Sequence, residues 1–168
     1  MKKIILCAIC AICGFTAANA QGKFGHVNSQ EIIQAMPEFT KFQADMKQLG
    51  EQYEGELKSM QTEFQKNLEE YDKLPENTPE PIKKRKEQSL QESQQKIQQF
   101  YQDSQQALNK EQNEKMQVIT TKVLDAIKAV GQAGGYVYIM DTAQGIPYIS
   151  TTLSTDVTKD VKTKLGLK

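Results

Sequence analysis

The stretch KLPENTPEPIKK, residues 73–84, gathers Pro75, Pro79 and Pro81, three of the chain's five prolines, inside a region otherwise made of good helix formers. Proline lacks an N–H and clashes with the preceding helical turn, yet sits well in a helix's first turn. The stretch therefore reads as a turn between two long helices. Leu74-Pro75 stops the first, Thr78 caps the second, and Pro79 takes its first helical position.

Before the turn, Phe39, Phe42, Met46, Leu49, Tyr53, Leu57, Met60, Phe64, Leu68 and Tyr71 recur at steps of three and four residues. Such spacing is one apolar stripe on one helix, opened by Pro37 in its first turn. From Leu49 onward the steps repeat as 4-4-3, a period that favours a straight or slightly right-handed coil. A narrow stripe on a polar helix calls for a partner helix rather than a globular core.

After the turn, a second helix is predicted from about Pro79 to Val130, marked by Leu90, Ile97, Tyr101, Leu108, Met116, Ile119, Val123, Ile127 and Val130. Between Gln88 and Gln106 nine of nineteen residues are glutamine, and the apolar intervals of three, four and seven still read as a solvated helix. Antiparallel pairing gives near-constant position sums: Leu68 with Leu90, Met60 with Ile97, Leu57 with Tyr101, Leu49 with Leu108, and Phe42 with Met116. The implied fold-back lies inside the proline cluster. Charge agrees, because residues 38–74 carry five basic and nine acidic side chains while residues 79–130 carry nine and seven.

Outside the helices, Lys23 to Asn28 alternates like a short strand, and Asn28 with Glu31 resembles a capping box opening a helical turn. Gly131, Gly134 and Gly135 end the second long helix, and Tyr136 to Met140 is the most strand-like run. Ala143-Gln144-Gly145 makes a turn, and Ile146 to Thr151 is expected as an edge strand because of Pro147. Thr158 is expected to cap a final helix through Leu165. The predicted class is α+β: an arm at 37–115 with its tip at about 75–81, projecting from a small β-rich body formed by 21–36 and 116–168. So small a body buries little core alone, which predicts oligomerisation. Phe24, Val27, Tyr136, Tyr138, Ile139 and Ile149 are its candidate residues.

The first twenty residues read as a secretory signal: Lys2 and Lys3, an apolar Ile4–Phe15, then Ala18-Asn19-Ala20, with cleavage expected after Ala20. The apolar run is too short to span a membrane, and Cys7, Cys10 and Cys13 lack the small preceding residue of a lipoprotein anchor. All three cysteines fall within this segment, so the exported chain is expected to hold no thiol chemistry. Losing Lys2 and Lys3 leaves 21 − 2 = 19 basic against 21 acidic residues, which is not a nucleic-acid binder's balance. His26 is the sole histidine and reads as a sheet residue. Asp156 and Asp160 read as helix-start residues, and Gly131 to Gly135 lacks the spacing of a dinucleotide loop. No catalytic, metal or cofactor site is predicted, and Lys83 to Lys86 read as a solvated face beside acidic neighbours.

The signal segment, KFGHVNSQEIIQAMPEF, the long polar helices, GGYVYIMD and DVTKDVKTKLG together resemble the Skp/OmpH family of periplasmic chaperones. The resemblance implies a homotrimer whose helical hairpins enclose a cavity for unfolded outer-membrane proteins, without ATP. Well-known members look strongly basic, whereas the chain expected after cleavage is slightly acidic, so membrane or lipopolysaccharide contact is left open. The stripe then supplies client-binding candidates: Met46, Tyr53, Met60, Phe64, Tyr71 and Tyr101. In the proposed register Tyr53 meets Gln105, Phe64 meets Gln94 and Tyr71 meets Glu87, mismatches that leave apolar surface available. The alternative is an envelope adaptor binding one folded partner.

Overall fold

The computed structural model describes residues 22–167, so the expected signal segment and its three cysteines lie outside the described residues. The chain divides into two compact units, an arm of residues 37–120 and a body formed by the residues before and after it. In chain order the elements are β1 (Lys23–Val27), α1 (Ser29–Ala35), α2 (Pro37–Asp72), α3 (Glu80–Gly134), β2 (Tyr136–Asp141), β3 (Ser154–Asp156) and α4 (Thr158–Lys164). A single turn of 3-10 helix, Thr142–Gln144, follows β2.

The body is built around β1, the central strand of a three-stranded sheet ordered β2-β1-β3. Both pairings are parallel: His26 stands opposite Met140 on one side and Asp156 on the other. Lys23 pairs with Tyr136 but Phe24 with Tyr138, so Val137 is an extra residue, a bulge in β2. Val27, Ile32, Met36, Val123, Ala126, Val157 and Val161 are buried and form the body's core. Each such aliphatic side chain contributes about 1.5–3 kcal/mol when fully buried, Ala126 less.

Polar contacts close this core at its ends. The Asn28 side chain accepts from the N–H of Glu31, as a cap should, while the N–H of Asn28 donates to the Thr158 hydroxyl at 3.0 Å. The reciprocal half of the expected capping box is replaced, because the Glu31 carboxylate turns to Lys162 at 2.7 Å and ties α1 to α4. Asp141 accepts from the N–H of Ser29 at 3.1 Å, from its hydroxyl, and from the N–H of Ala143 at 3.0 Å. Burial pushes the Asp141 carboxyl up, but these hydrogen bonds outweigh it and hold the group below its ordinary value.

The Tyr136 ring shows why glycines stand where they do. A Cβ on Gly134 would lie 2.5 Å from that ring, and one on Gly25 would lie 3.1 Å from it. Lys23 Nζ sits 4.2 Å from the ring centroid and donates to the carbonyl of Gly134. Only residues without a side chain let the ring pack this closely. Gly135, at φ +66, then turns the chain from α3 into β2.

Several expectations are corrected. Ile146 to Thr151 is not a strand; the third strand is Ser154–Asp156, which pairs with β1 through backbone groups that no proline interrupts. Thr78 does not cap α3: its hydroxyl donates to the Pro75 carbonyl, and Pro79's carbonyl accepts from Lys83 instead. Thr158 is the first residue of α4 rather than its cap, and its N–H donates to Asp156 at 2.9 Å. Gly131 lies inside α3, which runs on to Gly134.

Two outcomes are expected of the body. Gly134→Ala should destabilise it by about 1–3 kcal/mol, the usual cost of overpacking, seen in a denaturant midpoint followed by near-ultraviolet circular dichroism. Asp141 has a folded pKa below its unfolded value, so the stability it contributes is present above about pH 4 and lost as pH falls through the lower folded value. An acid titration should therefore show Asp141→Asn less stable at pH 7 and flatter below about pH 4 than the wild type.

Candidate functional site

Two apolar surfaces stand out, one in each unit. On α2, Phe39, Phe42, Met46, Leu49, Tyr53, Leu57, Met60, Phe64, Leu68 and Tyr71 are all half-buried, and no residue of the helix is fully buried. The stripe is thus only partly covered, and residues of α3 meet it at Tyr53 and Tyr71. The Tyr53 ring meets Phe100 edge-on with centroids 6.0 Å apart, a contact of about 0.5–1.5 kcal/mol beyond area burial. Nearer the proline turn, the Tyr71 hydroxyl donates to the Glu87 carboxylate, and Lys86 pairs with Glu70 at 3.3 Å. The hydrogen bond to Glu87 raises the Tyr71 pKa, since losing the phenolic proton would break it beside a negative charge.

The partner face of α3 differs from the expected one. Its covered positions before residue 108 are Lys83, Lys86, Leu90, Ser93, Ile97, Phe100, Ser104 and Ala107, a regular three-four alternation. Tyr101, expected opposite Leu57, is 53% exposed, and Tyr53 meets Phe100 rather than Gln105. Polar residues in the seam conceal this phase from a search for apolar side chains alone. Ser104 is buried, and its hydroxyl donates to the Phe100 carbonyl at 2.6 Å. Tyr71 and Glu87 do meet; the helices bring Tyr53 and Phe100 together, and leave Tyr101 outside the seam.

On the body, Phe24 and Tyr138 stack with centroids 4.8 Å apart. They line a cavity of about 300 Å³ with Met140, Ile146, Tyr148, Ile149 and Leu153. This is a surface rather than a core: Tyr148 is 80% exposed, Leu153 65%, Tyr138 50% and Met140 49%. Of the candidate body residues, Phe24, Tyr138 and Ile149 gather here. Tyr136 and Ile139 pack against Gly25 instead, and Val27 belongs to the buried core. Tyr148 and Leu153 escaped sequence reading because the segment that carries them has no periodicity.

Polar chemistry is confined to structural contacts. His26 Nδ1 lies 2.8 Å from the Ser154 hydroxyl, joining β1 to β3. Burial raises the Asp156 carboxyl, but hydrogen bonds from Thr158 and the nearby His26 bring it below its ordinary value. Among the described residues no group of three or more His, Cys, Asp or Glu side chains is placed to hold a metal ion, and no helix is long and apolar enough to cross a membrane. The arrangement offers extended, shallow apolar contact.

A search of curated proteins finds no match to this chain. A family model described as "Outer membrane protein (OmpH-like)" matches residues 23–165, from the first residue of β1 to just beyond α4. The match takes in the body and the whole arm, and by it the chain belongs to the OmpH-like family.

Proposed function

We propose that this protein is an ATP-independent periplasmic holdase that binds unfolded outer-membrane proteins and keeps them from aggregating. The observation that carries the reading is the α2 stripe, ten apolar side chains that are all half-covered and never sealed into a core. An unfolded barrel protein exposes many weak apolar sites along an extended chain. A long shallow stripe engages such a client at many points, whereas a deep rigid pocket would select one ligand. Met46, Tyr53, Met60, Phe64 and Tyr71 supply this contact, and the exposed Tyr101 adds an aromatic face beside the seam.

In this reading α2 and α3 pair as an antiparallel hairpin, and three chains assemble through their bodies. The exposed apolar face around Tyr138, Tyr148 and Leu153 is the kind of surface that a second copy covers. Assembly would let several arms hold one client, so that weak contacts multiply. The signal segment would deliver the chain to the periplasm, where no nucleotide supply is needed for passive binding. Nothing in the mechanism calls for catalysis: release follows when the client's own folding removes the exposed apolar surface.

Aggregation of a denatured outer-membrane β-barrel protein, followed by light scattering, checks the reading. A trimer-scale excess of the wild-type chain should suppress scattering, and unchanged aggregation would sink the proposal. Met60→Ser with Phe64→Ser should weaken suppression about tenfold, as expected for losing about 1.4 kcal/mol of apolar contact, with assembly mass unchanged. Tyr148→Asp with Leu153→Asp should instead reduce the assembly to single chains by multi-angle light scattering while the helical circular-dichroism signal persists.

A further inference from the structure

One face of α3 is explained neither by the seam nor by the charge pattern of the arm. All nine glutamines between Gln88 and Gln106 are exposed. At about 100° per residue, Gln91, Gln94, Gln98, Tyr101, Gln105 and Gln112 fall on one stripe, clear of the covered Ile97, Phe100 and Ser104. Glu92, Lys96, Asp103 and Lys110 gather on a nearly opposite arc, and Glu111 pairs with Lys115, so the stripe carries no formal charge. Gln88 and Gln99 donate to Glu92 and Asp103 one turn on. The amides of the stripe, in contrast, have no hydrogen-bond partner among the described residues. Elsewhere the arm builds its exposed faces with ion pairs such as Lys47 with Glu51 and Lys73 with Glu69.

Glutamine supports a helix about as well as lysine or glutamate, so helix formation does not call for this composition. What it adds is a neutral carboxamide, which donates and accepts as a peptide group does. From Gln91 to Gln112 the helix rises about 32 Å, and about nine or ten residues of extended chain cover that length. One strand of a transmembrane β-barrel has about 9–11 residues. We propose that this amide stripe is a docking surface for the backbone of one extended strand of an unfolded outer-membrane protein. The complementarity is one of charge and of length: a neutral row of donors and acceptors meets a neutral row of unpaired peptide groups. Tyr101, set among the amides, offers its exposed ring to one of the strand's alternating apolar side chains. Contact with the backbone ignores client sequence, and contact without charge is little screened by salt. The α2 stripe and the amide stripe then divide the client between them, side chains to the first and peptide groups to the second. The client is taken from the holdase reading, on which the proposal rests.

Fluorescence anisotropy of a labelled outer-membrane β-barrel protein, diluted from urea into the full chain, tests the assignment. Replacing Gln91, Gln94, Gln98 and Gln105 together by alanine keeps the helix and removes the amides, and should weaken binding about tenfold. The control set Glu92→Gln, Lys96→Gln, Asp103→Gln and Lys110→Gln, on the charged arc, should bind as the wild type does. The affinity lost with the four amides should change by less than about twofold between about 50 and about 500 mM salt. A peptide of about ten residues copying one strand of the barrel protein should displace it, and the same peptide methylated on alternate backbone nitrogens should not. Alanine variants that bind as tightly as the wild type, or a methylated peptide that competes equally, overturn the proposal and leave the holdase reading standing. A wild-type chain that binds no client sinks that reading and this one with it. Loss of assembly mass in the alanine variant, by multi-angle light scattering at unchanged helical circular dichroism, would assign the face to a second copy of the chain and overturn the proposal as well.

Discussion

The structure depends on β1 being the middle strand of its sheet. Five residues near the start of the described chain pair with β2, more than a hundred positions later, and three of them also pair with β3 beyond that. Both pairings are parallel, so neither can be closed by a short turn. The intervening chain has to leave the body and return to it, and two long helices joined by a proline turn are an economical way to do so. The arm is in this sense also the crossover connection of the sheet. Its sequence must encode a return, which is why the chain concentrates three prolines between residues 75 and 81.

The two units satisfy different physical demands. The body has a dry core of fully buried aliphatic residues and directs its polar groups into specific partners, Asp141 to Ser29 and Ala143, Glu31 to Lys162, Thr158 to Asn28 and Asp156. Removing a partner of Asp141, Asn28 or Thr158 leaves a part-buried polar group half-satisfied, and such losses are costly, whereas the Glu31 carboxylate is largely exposed. The arm relies on many small terms instead. Its ion pairs, such as Glu69 with Lys73 and Glu111 with Lys115, are exposed and contribute about 0.3–0.5 kcal/mol each. Their loss is spread along the helices, so the arm softens without a single point of failure.

What could be read from the sequence follows the same division. The α2 stripe was legible at every position because its apolar residues recur at unbroken three- and four-residue steps, and the proline turn was legible because proline punctuates whatever its context. The α3 face was only half legible. Lys83, Lys86, Ser93 and Ser104 occupy covered positions, and a search for apolar residues passes from Ile97 to the outward Tyr101, missing Phe100. The β3 error has a similar cause: Ile146 to Thr151 is apolar enough for a strand, yet its residues line the body's surface cavity, while the polar Ser154–Asp156 makes the backbone pairing. Parallel pairing of so short a strand is decided by its long-range partner and leaves little local signature.

The polar residues that hide the α3 phase also limit how tightly the arm can close. A seam filled by leucine at Ser93 and Ser104 would cover the α2 stripe more fully and gain burial, but each added side chain would remove apolar surface from solvent. Under the proposed holdase function, that surface has to stay half-available without being so bare that arms associate with one another. Lysine stems at positions 83 and 86 suit this compromise, because they cover apolar surface with methylene groups while keeping the charge in water. Serine at 104 suits it differently, satisfying its own hydroxyl within the helix and contributing no bulk. Incomplete packing of residues 37–120 is therefore compatible with a well-packed core in the other unit.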